Sequence, residues 1–242
     1  MPLSIRAIPC LSDNYIWLLR DEASGAVAVC DPGEPGPAAA AVREGGGRLD
    51  LILLTHHHGD HVGGVEALKA EFGGKVVGNE ADARRLPPLD IAVRPGATVE
   101  FGRSRAQVID TPGHTRGHVA FNFAGEDVLL CGDTLFSLGC GRLLEGTADE
   151  MYGSLQALNA LPGETLVCCG HEYTESNARF ALSVDGGNAA LRAVAEAAAA
   201  LRRDGKPTVP TTLAREREAN PFLRAPDEAR LAELRAAKDS FR

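Results

Sequence analysis

The sequence predicts a layered α/β sandwich followed by a helical appendage. Three observations support this. Short β-prone segments fall into two sets, one on each side of a helical pattern at residues 62–72, which fits stacked sheets better than one doubly wound parallel sheet. Polar His and Asp residues follow several of the predicted strands, usually beside a glycine, so that four strand ends deliver them toward one sheet edge. Beyond about residue 173 only helical patterns remain.

In chain order, residues 3–8, 15–19 and 26–30 are apolar segments separated by turn formers, which reads as a three-strand meander ending at Asp31-Pro32-Gly33. Asp31 is open to two readings: a carboxylate that backs a ligand histidine, or a plain Asp-Pro-Gly turn. Residues 37–43 are alanine-rich and helix-compatible, and Gly45, Gly46 and Gly47 stop that helix before a strand at 49–54.

The stretch Thr55-His56-His57-His58-Gly59-Asp60-His61 follows, with five residues able to bind a metal. Imidazole and carboxylate suit a buried strand-to-helix connection only when something offsets their desolvation, and a divalent cation does so. In an extended exit His56 and His58 point to the same side, whereas Asp60 and His61 lie past a glycine that lets the chain turn. Two adjacent metals are therefore expected. Asp60 also has an ordinary reading as an N-cap for a helix starting near Val62, and His57 is expected to be a bystander.

Val62, Val65, Leu68 and Phe72 repeat at helical spacing up to Gly73-Gly74. Strands are expected at 75–77, 98–101, 106–109, 119–123 and 128–130, with a proline-rich connection at 86–95. The ends Asp110-Thr111-Pro112-Gly113-His114 and Cys131-Gly132-Asp133 carry further ligand candidates, as does Cys168-Cys169-Gly170-His171. His118 opens a strand and reads as a hydrogen-bonded structural residue. Thr147-Ala148-Asp149-Glu150 is a capping box that opens a helix with Met151, Leu155, Leu158 and Leu161 inward. After His171 no strand is expected, only helices over 180–184, 191–201 and 227–238.

Composition bounds the function. A chain of 242 residues, 44% hydrophobic and 24% charged, has the mix of an ordinary globular protein. No apolar run approaches the ~20 residues of a membrane span, and residues 1–6 lack a signal-peptide pattern, so a cytoplasmic protein is expected. Six cysteines without a C-x-x-C pair read as small buried hydrophobes. The net charge of -8 disfavours nonspecific nucleic-acid binding. Its distribution is uneven: residues 1–170 carry -9, suited to cations, and residues 171–242 carry +1, able to meet an anionic substrate.

Thr55-His56-x-His58-x-Asp60-His61, Gly113-His114-Thr115, Gly132-Asp133-Thr134 and Gly170-His171 resemble the metallo-β-lactamase superfamily. Leu135-Phe136, Gly139-Cys140-Gly141-Arg142, Glu145-Gly146-Thr147-Ala148, His171-Glu172-Tyr173-Thr174, Asn220-Pro221-Phe222-Leu223-Arg224 and Lys238-Asp239-Ser240-Phe241 are similar to the hydroxyacylglutathione hydrolase (glyoxalase II) family. This resemblance covers essentially the whole chain. It implies a four-layer αββα sandwich over residues 1–172 and a helical substrate-binding domain over 173–242. It also implies one metal on His56, His58 and His114, another on Asp60, His61 and His171, and Asp133 bridging both. Asp60 and Asp133 are the residues it assigns to catalysis, and Arg142, Tyr173, Arg235 and Lys238 the contacts to glutathione. Zinc is the expected metal, with iron and manganese as alternatives. The expected partner is a small glutathione thioester, taken by a monomer. Where some family members carry an aromatic residue, this chain has Leu144, which removes a side-chain hydrogen bond.

The chemistry follows from the ligands. Two cations a few ångströms apart lower the pKa of a shared water toward ~7 and offset the charge of a tetrahedral oxyanion. The leaving thiolate has a pKa near ~8.5, so hydrolysis of a thioester needs no dedicated acid. The rivals are other hydrolases of the same fold, a persulfide dioxygenase acting on glutathione, and a noncatalytic metal module. Seven filled ligand positions speak against the last, since a structural zinc site closes with four.

Overall fold

Period-two alternation builds the first sheet. In the computed structural model, which describes residues 3–241, β1 (Leu3–Cys10), β2 (Asn14–Asp21), β3 (Ala26–Cys30), β4 (Leu51–Leu53), β5 (Lys75–Asn79) and β6 (Ile91–Val93) lie in sequence order. The N-terminal reading at Met1 and Pro2 falls outside the described residues. The first three strands pair antiparallel, and β3 to β6 pair parallel. Trp17, Leu19, Ala28 and Leu53 face the second sheet, while Ile16, Val27, Val29 and Ile52 face the other way. Those outer residues pack against α1 (Pro35–Glu44) and α3 (Val65–Phe72), through Ala38, Val42 and Leu68. Burial on both faces is what covering helices allow a largely parallel sheet.

The second sheet comprises β7 (Thr98–Phe101), β8 (Ser104–Asp110), β9 (Val119–Phe123) and β10 (Val128–Gly132), all antiparallel. A hairpin of β11 (Leu135–Phe136) and β12 (Gly139–Cys140) follows, then α4 (Ala148–Asn159) and β13 (Leu166–Cys169), which pairs parallel to β10. Both halves of the capping box at Thr147 and Glu150 are present on α4. Phe121, Phe123 and Leu129 meet Trp17 and Leu19 in the core between the sheets. The architecture is αββα.

The C-terminal part holds α5 (Thr174–Asp185), α6 (Ala189–Arg203), β14 (Thr211–Thr212), α7 (Leu213–Ala219) and α8 (Glu228–Ser240). The expectation of no strand after His171 is corrected by β14, which pairs with the edge of β13 at Leu166↔Thr212. Two residues carry no readable alternation; tertiary pairing alone makes them a strand. Residues 91–93, read as connection, form β6 for the same reason, beside β5. The seven-residue α7 was also not expected: its sequence is mostly charged, and its start depends on Thr212 accepting from the Arg215 N–H. The helix expected from Val62 begins instead at Gly59, in the short α2 (Gly59–Val62), and breaks at Gly63-Gly64 before α3. His58 occupies the N-cap position of α2, so Asp60 lies in its first turn and is not its N-cap. Phe180, Leu213, Phe222, Leu231 and Leu234 join the core of the sandwich, and Leu138, Ala178, Ala181, Leu191 and Ala219 make a small core of their own.

Candidate metal centre

Four strand ends converge at one edge of the two sheets. His56 and His58 leave β4, and Asp60 and His61 sit on α2. His114 follows β8, Asp133 follows β10, and His171 follows β13. Close approach requires glycine at two of these ends. Gly132 has φ 46° and a side chain there would meet Thr55 and His118, whereas at Gly170 it would meet Asp133 and His61.

The donor atoms form two triplets, and a third group, Asp31–His56–His61, draws one histidine from each. His56 Nε2 and His114 Nε2 lie 3.0 and 3.1 Å from His58 Nδ1. His61 Nε2 and His171 Nε2 are 3.3 Å apart, each 3.5 Å from Asp60 Oδ2. Asp133 stands between the two triplets. Its Oδ1 is 3.5 Å from His61 Nε2, and its Oδ2 is 3.3 Å from His171 Nε2 and 3.4 Å from His114 Nε2.

The outer partners set which nitrogens face inward. His61 Nδ1 donates to Asp31 Oδ2 at 3.1 Å, His114 Nδ1 to the Arg142 carbonyl at 2.8 Å, and His171 Nδ1 to Asp13 Oδ1 at 2.8 Å. In the neutral tautomers so fixed, the Nε2 lone pairs point at one another. Lone pairs at this separation repel unless a cation or a proton lies between them. Asp133 Oδ1 is likewise buried with no hydrogen-bond partner. Imidazoles and carboxylates with converging, unsatisfied donors fit divalent cations.

Asp31 takes the first of its two readings. Its carboxylate also accepts from the Thr55 N–H and hydroxyl at 2.8 and 2.6 Å, which ties β3 to the histidine loop. His118 is structural: it accepts from the Asp133 N–H and meets Thr111 and Thr134, and burial pulls its pKa to about 3, so it stays neutral. His57 points outward to Asp82, with Nδ1 2.9 Å from Oδ2. Asp82 pairs with Arg85, which also holds Glu145, and that hydrogen bond is the main reason the Glu145 carboxyl falls to about 2. Sequence reasoning passed over Asp13, Asn14 and Asp82 because polar residues in turns have an ordinary explanation, and it gave Glu145 no role beyond its place in a motif.

The protein's own groups push His56 and His61 in opposite directions. Burial drives His56 well below its ordinary pKa, with the neighbouring histidines adding to this. Burial acts the same way on His61, but Asp133, Asp31 and Asp60 outweigh it and raise the pKa to about 9; His171 is also raised, chiefly by Asp133 acting against burial. A proton held on His61 at pH 7 must leave before a metal binds. Metal uptake at neutral pH should therefore release protons, and apparent affinity should rise from pH 7 toward about 9 by about tenfold per unit for each proton displaced. Calorimetry in buffers of different ionisation enthalpy counts those protons, and a count of zero at pH 7.5 would contradict this.

A cavity of about 330 Å³ adjoins the cluster, with His114 and Asp133 in its floor and Arg142, Tyr173, Arg235, Lys238 and Asp239 in its walls. The Tyr173 ring stacks on His171 at 4.6 Å. The cations differ in availability. The Arg142 side chain is 68% exposed, its Nε 3.6 Å from Asp239. Lys238 donates to the Ser176 carbonyl and hydroxyl at 2.9 and 3.0 Å. Arg235, expected as a glutathione contact, is buried and engaged within the protein, on Asp239 at 2.8 and 3.1 Å and on the Cys140 carbonyl at 2.8 Å. Leu144 is exposed and is not among the cavity's lining residues.

Residues 12–171 match the model of the metallo-beta-lactamase superfamily, and residues 172–241 match that of the hydroxyacylglutathione hydrolase C-terminus. The chain is 55% identical to a hydroxyacylglutathione hydrolase of Acidiphilium cryptum, covering 98% of this chain and 97% of that one. The chain belongs to the hydroxyacylglutathione hydrolase family. The enzyme of that name from Methylococcus capsulatus is 49% identical, over 99% of both chains. Among solved structures, ETHE1 from Myxococcus xanthus is similar with a TM-score of 0.74 at 25% identity, covering 96% of this chain and 90% of its own. TTHA1623 in a di-iron-bound form has a TM-score of 0.58 at 31% identity, covering 68% of this chain and 90% of its own. Among the described residues, no helix is long and apolar enough to cross a membrane.

Proposed function

We propose that the chain hydrolyses S-(2-hydroxyacyl)glutathione, S-D-lactoylglutathione first, to glutathione and a 2-hydroxy acid, D-lactate, the second step of methylglyoxal detoxification. One observation carries the reading. The cluster of histidine and aspartate donors opens into a cationic cavity formed in part by the region that matches the hydrolase C-terminus. In this reading residues 1–172 hold the metals and residues 173–242, together with Arg142, grip the substrate, in a cytoplasmic monomer.

His56, His58 and His114 would hold one divalent ion, Asp60, His61 and His171 a second, and Asp133 would touch both. When bound, such ions supply Lewis acidity, which makes water nucleophilic at neutral pH and offsets charge growing on the thioester carbonyl. Zinc is the first choice, and the di-iron form of TTHA1623 is a reason to test iron, with manganese third. The chain's own groups do the rest. His61, His171 and His114 hold Asp133 ionised against burial, so it remains an acceptor at any working pH. Arg142 and Lys238 attract the carboxylates of the tripeptide. Tyr173 stays a neutral phenol, because burial and the nearby Asp13 and Asp133 raise its pKa. The leaving thiolate departs without a dedicated acid.

The test is a substrate panel with metal analysis. Purified, metal-loaded protein should consume S-D-lactoylglutathione with kcat/KM above ~10⁴ M⁻¹s⁻¹. Oxygen uptake on glutathione persulfide without thioester loss would overturn the reading in favour of a dioxygenase.

A further inference from the structure

The turn joining β1 to β2, with Leu11, Ser12 and Asp13 at its tip, touches both sheets at the metal centre. Asp13 Oδ1 accepts from His171 Nδ1 at 2.8 Å, and the next residue, Asn14, donates from Nδ2 to Asp60 Oδ2 at 3.0 Å and to the Asp60 carbonyl at 3.2 Å. Asp60 comes from α2, which follows β4 of the first sheet, and His171 from the end of β13 in the second. Two adjacent residues thus hold ligand candidates that the fold brings from different sheets.

The backbone fixes the turn where it does this. Tyr15 N–H donates to the Gly170 carbonyl at 2.8 Å, Glu172 N–H to the Asp13 carbonyl at 2.8 Å, and Asn14 and His171 form an isolated antiparallel bridge. Tyr15 hydroxyl donates to Glu172 Oε2 at 2.7 Å, and Trp17 Nε1 to the Cys169 carbonyl at 2.8 Å. On its far side the turn is pinned by Leu11 N–H on Glu34 Oε1 at 2.8 Å, with Leu11 at φ 52°. The other triplet has different partners: His56 meets Thr55, and His114 meets the Arg142 carbonyl.

We propose that this turn is a strap for one half of the metal centre, with Asp13 and Asn14 as positioning residues that tune the Asp60–His61–His171 site independently of the His56–His58–His114 site. The proposal rests on the two-ion reading above. Asp13 keeps the His171 proton on Nδ1 and the Nε2 lone pair inward. Asn14 occupies one lone pair of the Asp60 oxygen nearest His61 and His171 and leaves the other aimed at them. Losing an outer partner of this kind weakens a metal site by about 10–100-fold. Only one of the two sites should feel it.

Metal-free protein is reloaded with zinc at a series of buffered free concentrations, and zinc per chain is measured, with paired manganese spectra reporting magnetic coupling between two ions. Wild type should reach two per chain. The double variant Asp13→Ala/Asn14→Ala should hold one ion with unchanged affinity and the second about 100-fold more weakly or worse, with the coupling lost. Asp13→Asn, whose amide oxygen still accepts the Nδ1 proton, should lose no more than about tenfold, and Ser12→Ala nothing. An unchanged second affinity in the double variant overturns the proposal, and so does equal weakening of both ions, which marks a general role in folding. If the double variant does not fold, Asp13→Asn and Asn14→Ala singly must still weaken one ion and not the other. A wild type that binds only one ion removes the two-ion reading itself, before any variant is compared.

Discussion

Asp133→Ala should release metal from both halves of the centre and lower turnover by on the order of 10³-fold, the scale of removing a principal electrostatic group from an active site. Asp133 is the one candidate whose carboxylate reaches both groups, with Oδ1 toward His61 and Oδ2 toward His171 and His114. Each histidine candidate belongs to one triplet, although the His56 ring also packs against His61. The carboxylate is buried, and its place is set through the backbone, since its N–H donates to His118 Nε2. Alanine keeps that backbone contact, so the loss should be of metal and rate rather than of the fold. Asp60→Ala makes the control: its side chain is 42% exposed and meets only the second group, so one ion should remain. Metal content per chain after gel filtration decides the matter. Two ions retained at near-normal turnover in Asp133→Ala would exclude the bridging role.

The ligand candidates were legible because desolvation makes them improbable otherwise. Three successive histidines, a glycine, an aspartate and a histidine after a buried strand have few uses without a cation, and the glycines at 132 and 170 mark where chain and site nearly touch. Most strands of both sheets were legible as short apolar or β-prone segments between turn formers, but Ile91–Val93 was not. What escaped depends on tertiary context. Thr211 and Thr212 become a strand only because the edge of β13 is free to pair with them, and α7 presents too little apolar pattern to stand out. The break at Gly63-Gly64 was hidden because Val62, Val65, Leu68 and Phe72 keep helical spacing across it; a side chain at Gly64 would strike the backbone around Pro32 and Glu34. Asp13 and Asn14 sit in an ordinary turn by sequence, and only the approach of β13 puts them beside His171 and Asp60. Partner geometry, unlike residue type, cannot be read along one strand.

The C-terminal cations should separate into two kinds, although spacing alone makes Arg235 and Lys238 look like an equivalent pair on one helix face. Lys238 reaches the cavity wall from a half-buried position, held by neutral partners on Ser176, and burial followed by Arg235 and Arg179 lowers its pKa. A substrate carboxylate would relieve that crowding of positive charge. Arg142 is largely exposed and faces the same space. Lys238→Ala and Arg142→Ala should each raise KM for a glutathione thioester, about tenfold for each ~1.4 kcal/mol of lost contact, and leave kcat within a few-fold. Neither should affect a small thioester that lacks the peptide. Arg235 is different because its guanidinium is packed over Phe222 and each of its three nitrogens donates within the protein, to Asp239 or the Cys140 carbonyl. Removing it leaves that carbonyl without its donor and Asp239 without its nearest cation. Breaking a buried pair costs about 3–5 kcal/mol, and because Asp239 is one-third exposed the loss here should be nearer ~1–3 kcal/mol. At roughly 2–4 °C per kcal/mol, Arg235→Ala should lower Tm by several degrees and slow both substrates alike. Thermal unfolding beside kinetics on the two thioesters tells the cases apart. If Arg235→Ala raised KM for the glutathione thioester alone and left Tm unchanged, Arg235 would be a direct substrate contact, and the ion pair with Asp239 would yield to the substrate's carboxylate.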